Sequence, residues 1–459
     1  MKAKDRIKYL EGVIIAQIQQ IKLLEDKVLF LLECLAKYSE KATVVKKDSH
    51  NSSLPPSSDI IPQTKSLRVK SERKSGGQLG HVGYTLEMRS EADVVIDLKV
   101  TECENCGGAL SSLEHVLKSK RQVIELPPVV PIYEEYRQYG CTCPHCHSEQ
   151  VAKYPLGVNA PIQYGSSVEA LVSYLSVAQY VPFLRLQYLF KHIFSLPLSQ
   201  GTVGNILERT ALKCKGVYER IKEEIAQSEV VGSDETGAKV NGAKWWIWVW
   251  QNILNTFIVA SDNRGSATIE ATWGDSLQNV ILITDRWAAQ LKTSVKGKQI
   301  CLAHLLRNVI FLEESEKHPF ASEFKALILT IFKAKKTLIA QKLAYTKQDD
   351  AAILLEKQLI LLLAIPIDKD IFPKTAIFQN AIIQYQKYIL PCIYKLEIPP
   401  DNNGSERAIR NIKVKQKVSG QFKSGQNAFC VIRSVIDTLR KRKVDVFTSL
   451  VQIIKLQPV

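Results

Sequence analysis

No stretch of this 459-residue sequence reaches the roughly 18 apolar residues needed to cross a bilayer; the longest run, LILLLAIPI at 359–367, reads as buried core. The polar N-terminus has no apolar h-region of the kind a secretory signal carries. A disulfide framework is missing too. Five of the ten cysteines fall between Cys103 and Cys146 and the others are isolated, which suits a metal site in a reducing compartment. These absences predict a cytosolic protein. Acids are scarce in one place: from Arg407 to Lys443, eleven Lys and Arg face a single acid, Asp437, within a chain of formal charge +15. Such a concentrated basic segment is the electrostatic footprint of phosphate-backbone binding. A solvated basic face would give the same count.

The length predicts two to four domains. Ile7, Ile14, Ile21, Val28 and Leu35 form one heptad series, and Leu10, Gln17, Leu24, Leu31 and Tyr38 the other. β-Branched residues at a with mostly Leu at d favour a parallel dimeric coiled coil over residues 1–42. Ser, Pro, Gly and Lys dominate residues 43–83, which predicts a flexible basic linker. Residues 84–155 read as a small strand-rich module and 156–228 as helical, with Ser199 an N-cap and a pattern compatible with a helix-turn-helix.

From residue 229 the period changes to that of strands. SEVVGSDETGAKV, KWWIWVWQ and TFIVASD, separated by turn residues, predict an antiparallel meander, and NVILITDRW a fourth strand. Alternation puts Trp246, Trp248 and Trp250 on one face, with Trp245, Ile247 and Val249 on the other. A strand apolar on both faces is central, so the tryptophans are core. Residues 305–395 read as mostly helical and 426–456 as two further helices.

Two motifs carry chemistry. Cys103-x-x-Cys106 and Cys143-x-x-Cys146, separated by residues 107–142, offer four thiolates for tetrahedral structural zinc, with Cys141 an alternative to Cys143. A closed four-thiolate site leaves no position for substrate, so it is a folding staple. The second motif is a set of acids. Asp234 follows the first strand and Asp285 ends the fourth; Glu406, in DNNGSERAIR, falls in the first turn of a predicted helix. Two strand aspartates and one helix acid are the recurring way to hold two divalent cations about 4 Å apart, and Mg²⁺ prefers such hard oxygen ligands. Each acid has a plainer reading: Asp234 could open a turn and Glu235 be the ligand instead, Asp285 could pair with Arg286, and Glu406 could cap its helix or pair with Arg410. Asp401 is the rival ligand in the last motif.

These stretches together resemble the transposases of the insertion sequence 66 family. NSSLPPSSD and KSGGQLGHVG are similar to its signatures after an N-terminal zipper, with Ser75 and Leu79 at positions that are often proline. The two CxxC pairs look like its zinc-binding domain. DETG, TDRW and DNNGSERAIR resemble its three acid motifs, and CLAHLLRN its His-x-x-Arg segment. The resemblance implies a multidomain α+β and α/β protein with an RNase H-like core over 229–304 and 396–443. A helical insertion over 305–395 would interrupt that core, and a C-terminal helix over 444–459 would follow it. It implies Asp234, Asp285 and Glu406 as a DDE triad holding two Mg²⁺. His304 and Arg307 would then be a phosphate- or metal-proximal pair, and Arg407, Arg410, Lys413, Lys415 and Lys417 DNA contacts. Zinc would sit on Cys103, Cys106, Cys143 and Cys146. The expected partners are DNA, a second copy through the coiled coil, and accessory proteins of the same element, in a bacterial cytoplasm. The expected activity is transposition; the alternatives are an RNase H-like nuclease or resolvase without strand transfer, or a non-enzymatic zinc-containing regulator.

Overall fold

Two short strands, β1 (Gly140–Thr142) and β2 (Glu149–Val151), form an antiparallel ribbon around the second cysteine pair. The structure is a computed structural model that describes residues 86–456 continuously and, before them, positions 17, 18, 20–22, 24, 25, 28, 47, 48, 51, 52, 80, 81 and 83. Of the heptad positions, Gln17, Ile21, Leu24 and Val28 are helical and exposed; the other heptad residues and most of the 43–83 linker lie outside the described residues. Within that linker, Asn51 is buried, and its amide donates to Glu314 Oε2 at 2.8 Å.

By contacts the chain divides into two units, Met1–Lys65, Tyr136–Gln187 and Leu198–Val459 in one, Ser66–Glu135 and Tyr188–Pro197 in the other. The second holds the first cysteine pair. Of the stretch 84–155 read as strand-rich, residues 86–135 show only an isolated bridge, Glu102 to Ala109, and the strands are confined to β1 and β2. Val94, Val95, Ile96 and Leu98 are all exposed there. Alternation alone does not make a ladder when a segment this small has no core to bury its apolar face.

In the larger unit, α1 (Ser166–Ser173) runs into a π-helical turn at Tyr174–Ala178. After α2 (Phe183–Ile193), α3 (Gln200–Ala226) begins where Ser199 Oγ accepts from the Thr202 N–H at 3.0 Å. That bond satisfies one of the helix's orphan donors, as an N-cap serine should.

The central sheet has β3 (Val230–Val240), β4 (Ala243–Gln251), β5 (Thr256–Ser261), β6 (Ile281–Thr284) and β7 (Gly297–Ile300) in the order β5-β4-β3-β6-β7. The first three are antiparallel, and β3, β6 and β7 run parallel. Asn241 and Gly242 take φ of 46° and 79°, as the two-residue β3–β4 hairpin requires. Trp248 and Trp250 are fully buried and stacked at 5.7 Å. Trp250 meets Trp273, at the end of α4 (Ser266–Trp273), edge-on at 5.4 Å. Truncating either strand tryptophan to alanine should cost about 3–5 kcal/mol.

Beyond β6 come α5 (Ala288–Lys292) and, after β7, α6 (Leu302–Ser315). The stretch read as helical continues with α7 (Pro319–Gln341), α8 (Asp350–Leu363), α9 (Pro373–Tyr385) and the short α10 (Pro391–Tyr394). These helices share a second core, which includes Phe320, Phe324, Leu359 and Ile382. The chain then returns to the sheet through α11 (Asn403–Ser419), α12 (Gln426–Lys441) and α13 (Val446–Leu456). On α12, Thr438 and Ser434 hydroxyls accept from the N–H groups of Thr256 and Ile258, so the β5 edge is covered.

Candidate active site

Asp234 lies on β3, and Asp285 follows the last residue of β6. The parallel pairing ends at Gly232 opposite Ile283; carried on two residues, the register sets Asp234 opposite Asp285. Burial first, then the charges of Asp285 and Glu235 and, less strongly, Glu406, hold the Asp234 carboxyl well above the usual carboxylate range. The three predicted acids thus form one electrostatic cluster, although they come from a strand, a strand end and a helix.

Glu406 does not pair with Arg410. Its oxygens accept from Arg307 Nη2, on α6, at 3.0 and 3.2 Å, and His304 Nδ1 stands 3.6 Å from Oε1. The His304 ring is buried against Cys301 Sγ at 3.3 Å, and that burial lowers its pKa. Arg286 does not pair with Asp285 either. Its Nη2 donates to Asn308 on α6 at 2.8 Å, from a backbone with φ of 77°. A bulky residue held there stores on the order of 1 kcal/mol, a strain typical of functional turns. The Asp285 Oδ1 accepts from the Trp287 N–H at 3.2 Å.

Glu235 is held by partners of its own. One oxygen accepts from Arg264 Nε and Nη2 at 3.1 and 3.0 Å and the other from Gln290 Nε2 at 2.7 Å. Burial and the Asp285 charge push its carboxyl up to about 7 against the opposing pull of Arg264. With both oxygens engaged, Glu235 is a structural hub.

The start of α11 is pressed onto β3. A Cβ on Gly232 would stand 2.5 Å from Asn402 Oδ1 and 2.8 Å from Ser405 Oγ, and one on Gly404 would stand 2.5 Å from Gln251 Nε2. A Cβ at either position would have to displace side chains that are hydrogen-bonded elsewhere, so glycine eases this approach. Asn402 Nδ2 donates to the Ser233 carbonyl at 2.7 Å, which ties the helix start to the residue before Asp234. Asp401 Oδ1 accepts from the Asn403 N–H at 3.0 Å, so the rival acid is engaged in the turn before α11. Among the described residues, no group of three or more His, Cys, Asp or Glu stands arrayed to hold a metal ion.

Part of the basic segment turns inward. Arg407, Arg410 and Lys417 are exposed on α11, whereas Lys415 is buried and Lys413 donates to the Gly237 carbonyl at 3.1 Å. Burial lowers the pKa of both Lys413 and Lys415. Arg433 is buried in an ion pair with Asp437 at 2.7 Å. The charge count along the sequence therefore exceeds what faces solvent.

Each cysteine pair heads the same turn. The Cys103 N–H donates to Gly108 O at 2.9 Å and the Gly107 N–H to Cys103 O at 2.8 Å; the Cys143 N–H donates to Ser148 O and the His147 N–H to Cys143 O, both at 2.9 Å. Gly107 and His147 occupy the same left-handed position, with φ of 69° and 56°. Cys143 thus heads its turn as Cys103 does, while Cys141 is a β1 residue paired with Gln150.

Gly232, Gly404, Asn402, Arg264 and Gln290 join the site without having stood out in the sequence. The only signal there was the small, polar DNNGS stretch itself. Residues 161–429 match the family model described as Transposase IS66 family, and residues 101–147, spanning both cysteine pairs, match the zinc-finger binding domain of transposase IS66. Residues 11–87 match a family of unknown function. No curated protein matches the chain. The first match covers more than half of the 459 residues and includes every acid of the cluster, and the chain belongs to the IS66 family of insertion-sequence transposases.

Proposed function

We propose that this protein cuts DNA at the ends of its element and joins the resulting 3′-hydroxyls to target DNA, with Asp234, Asp285 and Glu406 as its DDE triad. The observation that carries this reading is the convergence of those acids from β3, the end of β6 and the first turn of α11. The strand order, with an antiparallel meander on one side of β3 and two parallel strands on the other, supports an RNase H-like core. An all-carboxylate donor set fits Mg²⁺. Two such ions supply activation of the attacking water or 3′-hydroxyl and stabilisation of the leaving oxygen.

The chain's own residues do the rest. Arg307 balances the Glu406 charge, and His304 stands beside it, 3.6 Å from Glu406 Oε1. The exposed Arg407, Arg410 and Lys417 hold phosphates beside the acids. The four cysteines bind structural zinc, and the N-terminal heptads pair two copies. Labelled element ends incubated with Mg²⁺ test the reading. The wild type should leave a nick with a 3′-hydroxyl, and Glu406→Gln should bind ends normally and cut none. Retained cleavage in that variant would sink the assignment.

A further inference from the structure

The direct β3–β6 ladder stops two residues short of the acids, at Gly232 opposite Ile283, although Asp234 still pairs with Val249 of β4 and Thr284 with Ile300 of β7. Beyond that point no strand pairing joins β3 directly to the chain that carries Asp285. Two cross-links reach across that gap, and both start from Glu235, the neighbour of Asp234. In the first, Gln290 donates to Glu235 Oε2 at 2.7 Å and accepts from the Thr284 hydroxyl; Thr284 is the residue before Asp285. In the second, Arg264 donates twice to Glu235 Oε1, and its guanidinium lies 3.6 Å from the Trp287 ring centroid and 4.4 Å from that of Trp246. The Trp287 indole donates back to the Arg264 carbonyl at 3.2 Å, and its backbone N–H donates to Asp285 itself at 3.2 Å. The two links thus flank Asp285 on both sides.

We infer that Arg264 is a positioning residue that sets the separation of the Asp234 and Asp285 carboxylates by tying Glu235 on β3 to Trp287 beyond β6. The inference rests on the acids acting as a metal site, as proposed above. Guanidinium is the group the place requires. It offers two adjacent N–H donors to one carboxylate while its flat face lies against indole, and an ammonium does not reproduce both contacts. Metal-site partners one shell out change affinity by about 10–100-fold when altered, because a ligand that wanders loses pre-organisation.

The test is Mn²⁺ binding to the full chain, followed by electron paramagnetic resonance, beside cleavage of element ends over a range of Mg²⁺. Arg264→Lys should raise the Mn²⁺ midpoint about tenfold. It should leave DNA-end binding unchanged and regain cleavage at high Mg²⁺, a split that general loss of structure would not give. Trp287→Phe keeps an aromatic face under Arg264 but trims the indole and removes its N–H bond, and should raise the midpoint about threefold. This milder variant carries the test if Arg264→Lys does not fold by circular dichroism. Wild-type midpoints in the folded variants overturn the inference alone. A wild type that binds no Mn²⁺, or an Asp234→Asn that binds it as well as the wild type, overturns the metal-site reading and the inference with it.

Discussion

Arg307 reaches from α6 to both carboxylate oxygens of Glu406, at 3.0 and 3.2 Å, across a separation of 99 residues in sequence. The guanidinium thereby supplies the positive charge that the clustered acids need. Arg307→Ala should lower stability in urea by about 1–3 kcal/mol without divalent metal, the cost of leaving a partly buried charge unpaired. Saturating Mg²⁺ should recover most of that loss. A loss of equal size with and without Mg²⁺ would mean that the ion does not share Glu406.

Gly404 makes a prediction of sign. In an exposed helix, glycine to alanine stabilises by up to about 1 kcal/mol. Here the added Cβ would meet Gln251, whose amide oxygen already accepts from Lys441 at 2.8 Å and so is not free to swing away. Gly404→Ala should therefore destabilise by about 1–3 kcal/mol. It should also reduce cleavage further than the lost folded fraction explains, because Glu406 sits two residues on. Thermal melts and cleavage rates measured on the same preparation check both statements.

The exposed and inward lysines and arginines of α11 separate in a salt titration. Neutralising Arg407, Arg410 and Lys417 together should flatten the slope of log affinity against log salt by up to about 3, close to one for each phosphate that no longer meets a cation. Lys415→Met should leave that slope unchanged, since its ammonium does not face solvent. If the triple variant keeps the wild-type slope, the face is merely solvated.

Metal content distinguishes the two cysteine assignments. Cys103→Ser and Cys143→Ser should each lose zinc by elemental analysis, and Cys141→Ser should retain it, because Cys141 belongs to a strand and not to a knuckle turn.

The pH dependence follows from Asp234. Its carboxyl is held high by burial and by Asp285, so without metal the folded state keeps the proton to a higher pH than the unfolded chain does. Proton and cation compete for the same oxygens. Cleavage should therefore fall at acidic pH, and the acidic limb should move to lower pH as Mg²⁺ is raised. A limb fixed in pH across a hundredfold range of Mg²⁺ would assign it to another group.

Local pattern determined a good deal. The Asn-Gly hairpin, the alternating tryptophans, the Ser199 cap and the helical stretch over 305–395 were legible because each rests on neighbours a few residues apart, where backbone preference and apolar period act directly. The cysteine spacing marked the two turns for the same reason, although only the structure showed that Cys143 heads a turn and Cys141 lies on a strand. Tertiary structure alone decided which charge answers which. Glu406 meets Arg307 rather than Arg410, Glu235 is held by Arg264 and Gln290, and Lys415 is buried among residues that a linear count would call a surface patch. Nor could the sequence show that Gly232 and Gly404 let a helix and a strand touch. Ion pairs and close approaches depend on distances between segments far apart in the chain, and packing of the sheet against α6 and α11 fixes those distances.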